Sequence, residues 1–157
     1  MRINLLCIGK TDDKKITELI SYYIARLPKH WNFEMIEIPD AKNARNLSSD
    51  LLKKEEAKLF FNHIENTDLV ILLDEKGKEF TSREFAQKLN YYQNNSVKRV
   101  CFLIGGAYGF SDEMYNRATE KLSLSKMTFT HQMIRLFFVE QIYRADQILQ
   151  GKPYHND

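Results

Sequence analysis

Apolar and polar positions alternate from Arg2 and merge into an apolar run ending at Ile8 and Gly9, which predicts a strand closed by a turn. Thr11 offers an N-cap to a helix, and Ile16, Leu19, Ile20, Tyr23, Ile24 and Leu27 recur at helical spacing up to Pro28. Phe33 to Ile38 predicts a second strand, ended by Pro39, and a polar connection from Asp40 to Ser49 leads to a helix over about Asp50–Ile64. Asp68 to Asp74 is rich in Leu, Val and Ile, the composition of a strand buried on both faces. Thr81 or Ser82 caps a further helix carrying Phe85, Leu89 and Tyr92, and Val97 to Ile104 supplies a fourth strand. The remainder predicts a helix over about Ser111–Glu120, a short alternation from Leu122 to Ser125, and one long helix over about Gln132–Gln150. Ile134, Phe137, Phe138, Ile142, Ala145, Ile148 and Leu149 form the core stripe of that last helix.

Strands alternating with helices imply parallel strands joined by crossover helices, hence an α/β fold with a mostly parallel sheet and helices on both faces. At 157 residues the chain is expected to form a single domain over 1–157. Ligands of such sheets bind beyond the carboxyl ends of the strands, here the segments at Asp74 and Gly105. The consecutive Leu136, Phe137, Phe138 and Val139 spread apolar side chains over most of the last helix's circumference, more than one sheet face covers, so a homodimer is expected.

Charge narrows the function little. Twenty-three basic residues against 21 acidic ones give a net charge of +2, too weak a bias to identify a nucleic-acid-binding protein by itself. Cys7 and Cys101 each sit in an apolar run without a C-x-x-C partner, and are read as buried free thiols in a reducing compartment. No run of about 18 uncharged apolar residues is present to span a bilayer, and the apolar stretch before Lys10 is too short for a signal peptide. A cytoplasmic protein with no membrane partner is the expectation.

Gly105-Gly106-Ala107-Tyr108-Gly109 follows a strand and precedes a helix, a place where a ligand can approach bare backbone amides, although a plain tight turn reads the same way. It is neither a dinucleotide fingerprint nor a phosphate-binding P-loop. Asp74 has the position of a receiver-domain phosphoacceptor, but that chemistry also needs acidic residues after the first strand, where this chain has Gly9-Lys10. The four histidines, His30, His63, His131 and His155, are too scattered for a metal set, so no metal site is expected. Arg144, four residues after Glu140, reads as an ordinary helix ion pair, and His155 as a solvated tail residue.

Several segments together carry a resemblance: Phe102 to Gly109, Leu122 to Arg135, Glu140 to Ala145, Tyr154-His155, Ile38-Pro39-Asp40, and Leu73-Asp74 before Gly77-Lys78. Along its whole length the chain resembles the ribosomal RNA large-subunit methyltransferase H family of SPOUT (alpha/beta-knot) enzymes. The resemblance implies a C-terminal trefoil knot, a homodimer, and S-adenosylmethionine as methyl donor. Carried across, it assigns the donor to Leu73, Gly105, Leu124, Ser125, Lys126, Met127, Thr128 and Phe129. It implies methylation of N3 of a pseudouridine in helix 69 of 23S rRNA on the assembled ribosome. Arg144, Tyr154 and His155 are the expected catalytic group, and His131 and Arg135 the expected substrate-positioning residues. The family often has Pro before the His that opens the last helix, where this chain has Thr130, itself able to serve as an N-cap. Two other readings remain open at this point. One is a knotted enzyme acting on a ribose 2'-oxygen or another RNA site, and the other is an α/β dimer that binds nucleotide or RNA without chemistry.

Overall fold

Strand positions divide by parity, as a pleat of period two requires. In the computed structural model, which describes residues 1–154, Ile3, Leu5 and Cys7 of β1 (Arg2–Ile8) join one core while Leu6 and Ile8 join another. The same split runs through β4 (Arg99–Ile104), with Val100, Phe102 and Ile104 on one face and Cys101 and Leu103 on the other. With β2 (Phe33–Ile38), β3 (Leu69–Glu79) and β5 (Glu120–Ser123) these strands form one parallel sheet in the order β2-β1-β4-β3-β5.

Each face is covered by helices. α1 (Lys14–Ile24), α3 (Ser82–Asn94) and α5 (His131–Leu149) cover one side through Ile20, Phe85, Leu89, Phe138, Val139 and Ile142. α2 (Ser49–Phe61) and α4 (Asp112–Arg117) cover the other through Ala57, Phe60 and Met114, with Phe110 beside them. Both cysteines are buried free thiols, as the apolar runs imply. Among the described residues no helix is long and apolar enough to cross a membrane, and no group of acidic, His or Cys side chains could hold a metal ion.

Several boundaries differ from the sequence reading, each for a local reason. Asp13, not Thr11, caps α1, accepting the N–H groups of Lys15 and Ile16 at 2.8 and 3.1 Å, while Thr11 turns its N–H to Glu37. α1 stops at Ile24, its end tightening into three-residue bonds from Arg26 N–H to Tyr23 O and from Leu27 N–H to Ile24 O before Pro28, which has no N–H to continue the helix. Val97 closes α3 instead of opening β4: Ser96 adopts a left-handed conformation, and the Val97 N–H donates to Tyr92 O at 3.1 Å. α4 ends at Arg117, since Ala118 is extended and the Thr119 N–H already donates to Val70 O at 2.8 Å, leading into β5 at Glu120. β3 does not finish at Asp74. It continues to Glu79 with an irregularity, its pairing with β5 jumping from Leu73 to Lys78.

In α5, Phe137 and Leu149 are exposed rather than part of the core stripe, and the stripe instead contains Arg135, fully buried. Thr130 does cap this helix, accepting the Met133 N–H at 3.2 Å.

Candidate functional site

The carboxyl ends of β4 and β5 flank the bulge of β3, and the segments at these three places wall one cleft. Leu73 to Lys76 come from the bulge of β3, Ile104 to Phe110 from the glycine turn after β4, and Leu122 to His131, without Lys126, from the segment joining β5 to α5. The cleft has a volume of about 650 Å³, within the span of roughly 300–1,000 Å³ common for small-molecule sites. It lies at the carboxyl ends of the strands, where a parallel sheet leaves backbone groups unpaired.

Of the residues expected at a donor site, Leu73, Gly105, Leu124, Ser125, Met127, Thr128 and Phe129 all line this cleft. Lys126 is exposed and not part of the wall. The β5–α5 segment is shaped by its own serines: Ser123 Oγ donates to Ser125 O at 2.8 Å, and Ser125 Oγ accepts the Met127 N–H at 2.9 Å. That turn leaves Met127 among the most exposed apolar side chains of the molecule. Phe129 stacks obliquely on Phe137, with ring centroids 4.9 Å apart.

The polar side of the cleft includes a pair that sequence reasoning did not assemble. Tyr115 Oη of α4 donates to Asp74 Oδ2 at 2.5 Å, and the Lys76 N–H donates to Oδ1 at 2.7 Å. Burial pushes the Tyr115 phenol up to about 12, and its bond to the Asp74 carboxylate adds to the shift. Tyr115 stays protonated at neutral pH and fixes the carboxylate as an acceptor in the wall. No sequence signal pairs residues so far apart, because only the crossover through β4 brings α4 back over the end of β3.

His131 is exposed and lines the cleft mouth at the start of α5. Arg135, one turn on, does not share that exposure. Its guanidinium donates to Ile8 O at 2.6 Å and Thr11 Oγ1 at 2.9 Å, and lies 3.5 Å from Glu37, so it ties α5 to the ends of β1 and β2. In this chain it braces the fold beside the cleft instead of offering charge to solvent.

Arg144 and Tyr154 form a separate cluster. Arg144 donates to Glu140 Oε1 at 2.6 Å, its guanidinium carbon lies 4.9 Å from the Tyr154 ring centroid, and Tyr154 Oη donates to the same carboxylate at 3.2 Å. Burial, a hydrogen bond with Tyr23 and the Glu140 charge all push the Tyr154 phenol up, so it is a donor and not a base at neutral pH. His155 lies outside the described residues. At about 1.5 Å per residue, Arg144 is roughly 15 Å along the α5 axis from Ile134, the last cleft residue on that helix. Within one chain the two groups of expected residues are therefore apart.

The chain matches the family model described as "Predicted SPOUT methyltransferase" over residues 1–155. It is 53% identical over 156 residues to a ribosomal RNA large subunit methyltransferase H of Cytophaga hutchinsonii, covering 99% of this chain and 100% of that one. To the proteins of the same name in Christiangramia forsetii and Parabacteroides distasonis it is 50% identical, over 99% and 100% of both chains respectively. A solved structure of a probable methylase family protein from Haemophilus influenzae Rd KW20 superposes with a TM-score of 0.61 at 12% identity, covering 99% of this chain and 70% of that one, a likeness of fold. With a family match over nearly every residue and half-identical relatives along its full length, the chain belongs to the SPOUT methyltransferase family.

Proposed function

We propose that this chain is a ribosomal RNA methyltransferase that moves the methyl group of S-adenosylmethionine to N3 of a pseudouridine in helix 69 of 23S rRNA, acting on the assembled ribosome. The observation that carries this reading is the convergence of Leu73, Gly105 and the Leu124–Phe129 segment on one cleft, joined to the names of the full-length relatives. The cleft fits such a donor in size and chemistry: Leu73, Met127 and Phe129 offer apolar wall, the glycine turn offers backbone, and Asp74 and Glu75 offer negative charge. When bound, the donor supplies a methyl group on a cationic sulfur, activated for in-line displacement.

The protein's own work is alignment and proton handling. Leu73, the glycine turn at Gly105 and the wall residues Met127 and Phe129 would hold the donor. Arg144, kept in place by Glu140 and Tyr154, supplies positive charge against the anion that develops as N3 loses its proton. Tyr154 holds its proton and acts as a donor, and His155, matched to the family's tail motif, is the proposed acceptor of the N3 proton. His131 at the cleft mouth positions substrate.

Arg144 and the cleft are separated within one protomer, and this supports a homodimer in which the Arg144–Tyr154 group of one chain completes the cleft of the other. The knot implied by the family belongs to this reading. The deciding experiment supplies labelled methyl donor with ribosomes carrying unmethylated pseudouridine, with isolated RNA as comparison, and maps the modified nucleotide by mass. Label on the base, from ribosomes in preference to free RNA, is expected. Label on a ribose oxygen, or donor binding without transfer to any RNA, overturns the assignment.

A further inference from the structure

Two adjacent glutamates on α2 have opposite fates. Glu55 is partly exposed and pairs with Lys58 at 2.6 Å, an ordinary surface ion pair. Glu56 is 6% exposed, next to Ala57 of the core, and its carboxylate lies directly against Gly106 in the glycine turn, whose N–H favours its charged form. Gly106 lines the cleft, whereas Glu56 does not.

The fit between the two is close. A Cβ built on Gly106 would lie 2.3 Å from Glu56 Oε1 and 2.8 Å from Oε2, well inside any tolerated contact. The carboxylate thus occupies the space a side chain at 106 would need, and backs the turn from behind. A second carboxylate, Asp40, also acts on Glu56. Burial pushes Glu56 up to about 6, the Gly106 N–H opposing the shift and Asp40 adding to it. An acid kept buried beside another acid is costly, and the one feature it visibly organises is the turn forming a wall of the cleft.

We infer that Glu56 is a positioning residue for the methyl donor, acting through the Gly106 amide to hold the turn after β4 in its binding shape. This rests on reading the cleft as the donor site. Glu56 reaches neither donor nor RNA, so its effect falls on donor affinity and not on the transfer step. An interaction between a buried acceptor and a backbone N–H shifts an equilibrium by about tenfold.

The test measures S-adenosylmethionine affinity by calorimetry, together with KM for the donor and kcat on ribosomes. Glu56→Ala is expected to weaken donor binding about tenfold while kcat at saturating donor stays within about threefold. Glu56→Gln, which keeps an oxygen acceptor, is expected to recover most of that loss. Gly106→Ala, whose Cβ pushes the carboxylate off the amide, asks the same question without emptying the Glu56 site. It is expected to weaken binding as well, and to do so less in a Glu56→Ala background than alone.

Wild-type protein that binds no donor overturns the reading of the cleft and this inference with it. Wild-type binding matched by Glu56→Ala or Gly106→Ala overturns the inference alone. Glu56→Gln as weak as Glu56→Ala, or kcat falling in step with affinity, also overturns it.

Discussion

Asp68 and Arg99 form the best-built ion pair of the described residues, at the end of the sheet away from the cleft. Arg99 Nε donates to Oδ1 at 2.7 Å and its terminal nitrogen to Oδ2 at 2.5 Å, with Asp68 almost wholly buried. Burial by itself raises the Asp68 carboxyl, but the two bonds from Arg99, with the Glu65 N–H, outweigh it and hold the group below the usual aspartate value. The stability this pair contributes is therefore present above the ordinary aspartate range and is lost as pH falls through the lowered folded value. Arg99→Ala leaves a buried carboxylate without its partner and is expected to cost about 3 kcal/mol in urea unfolding at pH 7. That cost is expected to shrink as pH approaches 3, where the abandoned carboxyl takes up a proton. An unchanged difference between the two pH values would show that the pair is not its source. At this scale the sequence was only partly informative. Cys7 and Cys101 were legible as buried thiols because apolar neighbours surround them in the chain. Arg135 and Glu56 were not, since a charged residue on an amphipathic helix looks alike whether it faces solvent or is covered by a distant segment.

The decisive element is β3, which outlasts its apolar run. Leu69 to Leu73 announce a strand, and the charged residues after them read as its end, yet the strand bulges there and rejoins β5 at Lys78 and Glu79. Gly77 makes the second pairing possible. A Cβ there would lie 2.5 Å from the backbone carbon of Leu122 and 2.6 Å from its nitrogen, where no side chain can yield. Gly77→Ala is therefore expected to push β5 aside and carry the Leu122–Phe129 wall with it. Donor affinity should drop at least about tenfold, and melting temperature should fall by several degrees. Calorimetry and thermal unfolding check both, and a variant that melts and binds as wild type would mean that the strands do not approach so closely. Most helices and strands were legible from period and capping, down to Thr130 as an N-cap and to the choice between Thr81 and Ser82, of which Thr81 caps α3. Their ends were less so: the extended turn after α4 and the β3 bulge are fixed by pairing with distant strands that no local pattern encodes, and the left-handed Ser96 that closes α3 carries no glycine to announce it.

At the scale of the molecule, the proposed function requires Arg144 and Tyr154 to act at a cleft from which they are separated within one chain. α5 turns Phe138, Val139 and Ile142 to the sheet and leaves Phe137 and Leu149 exposed, so one protomer does not use all the apolar surface the helix carries. On the dimer reading, sedimentation is expected at twice the 18.6 kDa chain mass. Removing residues 154–157 is expected to abolish methyl transfer while donor binding is largely kept, and a tail-less protein with full turnover would sink the shared-site proposal. Mixed dimers of an Arg144→Ala chain with a Gly105→Trp chain are expected to regain activity in one of their two sites, which neither homodimer shows.

What the sequence determined by itself is mainly short-range: alternation at period two, helical stripes, most caps and the glycine turn, hence an α/β fold with parallel strands. The family signature extended this to the donor segments, because their residues lie in contiguous runs. Only the tertiary structure decided which strand ends adjoin, that β3 bulges past Gly77 to meet β5, that Arg135 is buried, and that Glu56 stands behind Gly106. The physical reason is the same in each case. Burial and close approach depend on segments tens of residues away, and a residue's own neighbours in the chain carry no record of them.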